Sequence, residues 1–130
     1  MKYFTLEEAE ALIPELEKIY ASIAGIASKA QAKAEAIKRL EDKEPGRISE
    51  ITIEKSQLQF LVNGVNDWLQ KILDIGAFPK GLDPTLVDFP YRLGDKEVYL
   101  CWKWGEKKIT YYHGFEEGFS GRRPLPAKTH

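Results

Sequence analysis

The chain contains a single cysteine, Cys101, one methionine at its start, and two histidines, His113 and His130. One cysteine excludes an intrachain disulfide, which fits a reducing cytoplasm. Metal binding needs several His, Cys, Asp or Glu side chains converging. With so few histidines, one of them terminal, and no His-Glu pair at helical spacing, no metal site is assigned. No window approaches the roughly 18 to 20 apolar residues of a membrane span. Acidic residues interrupt MKYFTLEEAEALI, where a secretory signal needs an unbroken apolar run. The expectation is a cytoplasmic protein with no membrane partner.

An excess of charge of one sign is missing too. Nineteen Lys and Arg stand against twenty Asp and Glu, a net charge of -1, and this balance argues against nucleic-acid binding. Phosphate loops and dinucleotide fingerprints are absent: Gly114, Gly118 and Gly121 are spaced for turns and follow no βα unit. No cofactor is therefore assigned. At 130 residues the chain fits one domain, able to bury roughly two thirds of its unfolded surface without disulfide or metal.

Helical periodicity fills residues 1–75. Thr5 followed by Glu8 is a capping-box pattern, so a helix begins near Leu6. Pro14 lacks an amide proton and its ring crowds the preceding turn, which predicts a short turn and then a long helix. Leu12, Leu16, Ile19, Ile23, Ile26, Ala30, Lys33, Ile37 and Leu40 follow alternating spacings of four and three, the heptad seam of a coiled coil. Segment 41–47, EDKEPGR, is the hairpin turn. A second seam runs Ile51, Leu58, Leu61, Val65, Trp68, Ile72 and Ile75, with Glu54 breaking the heptad. Phe60, Val62 and Leu69 widen its apolar face. They need a third partner, either the remainder of the chain or a second hairpin across a two-fold axis. A homodimer is expected.

Ten of the fifteen aromatic residues lie beyond Gly76. Gly76, Pro79, Gly81 and Pro84 mark a loop, and LVDFP is a brief extended segment stopped by Pro90. Residues 97–104 and 109–113 are rich in β-formers and separated by Gly105-Glu106. The predicted fold class is therefore α+β: a long antiparallel helical hairpin, 1–75, then a three-stranded antiparallel meander packed on the helices and a C-terminal wrap, 76–130, in a single domain. Phe115 and Phe119 anchor the wrap, and the last residues, including Lys128 and His130, are expected to be mobile.

Alternation puts Val98, Leu100, Trp102 and Trp104 on one strand face, with both tryptophans packing the sheet on the helices, and Cys101 on the other. A connection of two or four residues to the next strand places His113 on the Trp102 face, away from Cys101. An odd-length loop or a bulge reverses this. Mid-strand Cys101 reads as an apolar filler. Arg122 and Arg123, with Arg92 if the loops meet, can grip a carboxylate or phosphate, although pairing with Glu116, Glu117 or Asp88 competes. The candidate binding residues are Asp88, Arg92, Glu106, His113, Arg122 and Arg123, and no catalytic set is assigned.

FTLEEAEALIPEL, GLDPTLVDFP, EVYLCWKWGE, ITYYHGFEEGF and GRRPL occur in that order across nearly the whole chain. In this the sequence resembles a prokaryotic family known as domain of unknown function 2203. The resemblance implies a bacterial or archaeal cytoplasmic protein and supplies no activity. Its motif positions are Asp83, Asp88, Pro90, Cys101, Trp102, Gly105, Glu106, His113, Gly118, Phe119 and Arg122. Where the family often has Trp before the histidine, this chain has Tyr112. Two readings follow. One is a non-enzymatic interaction or ligand-binding module that self-associates through the hairpin, docking a protein or a small anionic ligand. The other is a small enzyme or metal-dependent ligand binder using Asp88, Glu106, His113 and Arg122.

Overall fold

Thr5 opens the first helix of the computed structural model, which describes residues 1–126. Its hydroxyl accepts from the Glu8 amide (3.0 Å), and the Glu8 carboxylate accepts from the Thr5 amide (2.8 Å). Two otherwise free amides are thereby satisfied. Helix α1, Leu6–Ala11, ends just before Pro14, which becomes the second residue of α2, Ile13–Lys43. There its missing amide removes no intrahelical bond. Helix α3, Ile48–Ile75, follows the Pro45-Gly46 turn. The terminus that contains Lys128 and His130 lies outside the described residues. The chain divides into two compact units: Ile19–Gln70, and a second made of Met1–Lys18 with the chain from Lys71 onward.

In the unit Ile19–Gln70, α2 and α3 run antiparallel. Lys33 Nζ meets Glu54 Oε2 at 2.8 Å, Lys55 meets Glu41 at 3.2 Å, and a Cβ on Gly64 would touch Ile26 at 3.6 Å. Lys33 and Glu54 are the two polar residues of the heptad series, and they pair with each other. A polar pair in an apolar seam penalises any slipped register, which would leave both without a partner. Ile19, Ile23, Ile37 and Ile51 are buried, whereas Leu58, Leu61, Val65, Trp68 and Leu69 are only half-buried.

The other unit carries an antiparallel sheet of five strands in the order β1-β2-β3-β4-β5, not three. They are β1 Phe78–Leu82, β2 Thr85–Leu93, β3 Lys96–Lys103, β4 Tyr111–Gly114 and β5 Arg123–Pro124. The expected loop after Gly76 is the edge strand β1. Pro79 is tolerated because an edge strand has one side without ladder bonds, and Gly81 sits where the register shifts in a bulge. Nor does Pro90 stop β2. Its carbonyl points away from β3 to accept from the Phe4 amide (2.9 Å), and its nitrogen points the same way, so no β2–β3 bond is lost.

Val87, Phe89, Val98, Leu100 and Trp102 form one sheet face, fully or nearly buried, and join Phe4, Leu6, Ile13, Leu16 and Ile72 in the core of this unit. The Phe4 ring meets Phe89 edge-on, centroids 5.1 Å apart. Glu10 of α1 accepts from the Ile109 amide at 2.9 Å. Trp104 departs from the expectation: it lies just past β3 and is 38% exposed. Ile109 also departs, since β4 begins only at Tyr111.

Candidate functional site

Cys101 and His113 share a sheet face, contrary to the parity expected from a short even connection. Residues 104–110 make the connection odd, so Tyr99 pairs with His113 and Cys101 with Tyr111. On the other side of β3, Cys101 pairs with Asp88 of β2. Three adjacent strands thus bring Asp88, Cys101 and His113 together, with their donor atoms all within 4.8 Å of one another. Their exposures are 2%, 0% and 3%. Cys101 is the functional candidate that sequence reasoning set aside, because the odd residue count between the strands emerges only once β3 ends at Lys103 and β4 begins at Tyr111.

His113 Nδ1 lies 2.9 Å from the Gly114 carbonyl, which can only accept, so Nδ1 carries a proton. His113 Nε2 lies 3.0 Å from Asp88 Oδ1. A lone pair on each would repel, so one proton is shared between them in a hydrogen bond. Burial raises the Asp88 carboxyl above its usual range, opposed by His113. Burial also pushes the Cys101 thiol up to about 11, an effect that the neighbouring Arg122 guanidinium only partly offsets. The sulfur is therefore a neutral thiol near pH 7, poorly suited to nucleophilic attack.

The wrap after β4 covers this face. Phe115 packs on Tyr99 with centroids 4.5 Å apart, and Tyr99 meets the His113 ring edge-on at 5.6 Å. Arg122 stacks on Tyr111 at 4.2 Å, donates to the Cys101 carbonyl at 3.1 Å and pairs with the Glu106 carboxylate. Glu106 also fixes the turn, its side chain accepting from the Lys103 amide (2.7 Å) and its carbonyl from Trp102 Nε1 (3.0 Å). Asp88, His113 and Arg122 therefore adjoin Cys101, and Glu106 reaches the group through Arg122. Arg122 Nε is buried without a hydrogen-bond partner.

Arg92 and Arg123 do not join them. Arg92 stacks on Tyr3 at 4.4 Å and lines a groove of about 700 Å³ with Tyr91, Thr5, Glu7 and Glu10. Arg123 forms a two-pronged pair with Glu117 (2.7 and 3.0 Å), whose carboxylate also accepts from the Gly114 amide at 2.7 Å. Gly121 is needed here, since a Cβ would fall 2.8 Å from the Glu117 Cβ. Arg123 first, then the Gly114 amide, holds the Glu117 carboxyl down to about 2. A depressed carboxyl stabilises the fold above its unfolded value of about 4.5 and loses that contribution as pH falls through about 2. Protection of the Gly114 amide from hydrogen exchange is expected to fall over that range, and Glu117→Ala, which has no acceptor, to be weakly protected at every pH. Equal protection in both proteins would refute the clamp.

The sheet and its buried cluster define the class: an α+β protein with an aspartate, a cysteine and a histidine enclosed on one face of an antiparallel sheet. The chain belongs to the family of uncharacterized conserved proteins DUF2203, whose model matches residues 2–125. No curated protein and no solved structure matches it. Among the described residues, no helix is long and apolar enough to cross a membrane.

Proposed function

We propose that this protein is a non-enzymatic interaction module of the cytoplasm that assembles as a homodimer through residues 19–70. The observation that carries this reading is the apolar surface of α3: Ile53 is 58% exposed, Phe60 77% and Val62 39%. Ile53 and Phe60 flank a shallow groove with Leu61, Thr52, Ser56 and Gln57. A second copy suits this surface. Residues 19–70 carry seven basic and seven acidic side chains, so two copies meet without net repulsion, and a four-helix arrangement buries the half-buried seam residues that one hairpin cannot enclose. The enclosure of Cys101, at 0% exposure, supports the non-enzymatic side of the reading. A ligand or peptide would seat in the groove beside Arg92, since Arg122 and Arg123 already face carboxylates.

Light scattering coupled to size exclusion tests the assembly. The full chain is expected to elute as a dimer at micromolar concentration, and Phe60→Glu as a monomer with unchanged helical circular dichroism. A wild-type monomer under these conditions overturns the proposal.

A further inference from the structure

We propose that Asp88, Cys101 and His113 are the protein ligands of a divalent transition-metal ion, zinc by its donor set, which joins β2, β3 and β4. The geometry carries the argument. One carboxylate oxygen, one sulfur and one imidazole nitrogen converge within 4.8 Å. Bonds of about 2.0 Å to O and N and about 2.3 Å to S set tetrahedral ligands roughly 3.3 to 3.6 Å apart, so the 3.0 Å contact between His113 and Asp88 opens by a few tenths of an ångström and a pair at the 4.8 Å limit closes by about 1.2 Å, within reach of a side-chain rotation.

The surroundings of the histidine match those of a metal ligand. A metal-bound imidazole usually donates its other N–H to a carbonyl or carboxylate, which fixes the tautomer and aims the free lone pair. His113 does so through Nδ1 to the Gly114 carbonyl, leaving Nε2 directed at the cluster. Tyr99 against the ring, with Phe115 behind it, holds that orientation.

Charge closes as well. Without metal, one proton lies between His113 and Asp88 and another on Cys101, whose side chain is within hydrogen-bonding reach of Asp88. A divalent ion displaces both protons, leaving imidazole, carboxylate and thiolate, so the cluster is neutral before and after. A thiolate with an imidazole and one carboxylate suits zinc better than magnesium or calcium, which take oxygen ligands. The described residues supply three donors.

Cys101 is the only thiol in the chain, which makes its metal bond separately observable. The purified full chain, stripped with a chelator and confirmed folded by circular dichroism, is titrated with Co²⁺ and then Zn²⁺. The expected result is saturation at a single equivalent, with a near-ultraviolet thiolate-to-cobalt band, visible bands of tetrahedral cobalt, and loss of both when Zn²⁺ displaces it. The thermal midpoint rises with either ion. Cys101→Ser abolishes the charge-transfer band, and Asp88→Asn and His113→Gln weaken binding by more than the roughly 10- to 100-fold typical of losing an outer partner. Absence of the band and of any thermal shift in folded wild-type protein overturns the proposal without help from variants. So does a band that survives Cys101→Ser. The dimer proposal is read out by elution mass and stands or falls separately.

Discussion

Asp88→Ala in the metal-free protein is expected to lower unfolding stability by about 3–5 kcal/mol, the usual cost of removing one member of a buried charged pair. Asp88 is 2% exposed and is the hydrogen-bond partner of His113 Nε2. Truncation leaves a protonated imidazole without its counter-charge, or a neutral one with an unmet nitrogen, in a site closed by Tyr99 and Phe115. The partner change His113→Ala should cost a similar amount. The double substitution should cost clearly less than the sum, because neither partner is then stranded. Urea denaturation of the four proteins measures this cycle. Additive losses would show that the two side chains do not act as a pair.

Trp102→Ala is expected to cost about 3–5 kcal/mol by the cavity it leaves, since Trp102 is fully buried among the core side chains of the sheet unit. Trp102→Phe retains most of the packing but strands the Glu106 carbonyl, which accepts from the indole nitrogen at 3.0 Å. An expected loss of about 1–3 kcal/mol follows from that orphaned acceptor. This substitution also loosens the turn that holds Glu106 against Arg122, linking core packing to the buried cluster. Trp104→Ala provides the contrast. At 38% exposure it should cost about 1 kcal/mol or less. Chemical denaturation of the three variants ranks them, and a Trp104 effect equal to that of Trp102 would refute this assignment of the core.

The two helices of the hairpin were legible because their signals are local. The Thr5 and Glu8 cap, Pro14 and the Pro45-Gly46 turn each act through bonds to residues a few positions away, and each lies where periodicity placed it. The polar exceptions in the heptads, Lys33 and Glu54, were visible one at a time, but only pairing of the helices shows that they meet. Strand β1 was missed because Pro79 and Gly81 disfavour strands as single residues, while an edge position with a bulge accommodates both. Pro90 was misread as a terminator for a related reason. Its cost depends on which side of β2 its nitrogen faces, and Phe4, some eighty-five residues earlier in the chain, occupies that side.

By itself the sequence determined the α+β class, the helix boundaries, the mid-strand position of Cys101 and most of the residues now found around it: Asp88, His113 and Arg122, with Glu106 held by Arg122. These follow from composition, periodicity and turn chemistry, all of which act over a few residues. The tertiary structure alone decided the five-strand order, the exposure of Trp104 and the meeting of Cys101 with His113. Strand alternation has a period of two, so one residue more or less in the connection at 104–110 moves His113 from one face of the sheet to the other. Loop length and pairing register are set by contacts between distant segments, and no local preference in the chain encodes them.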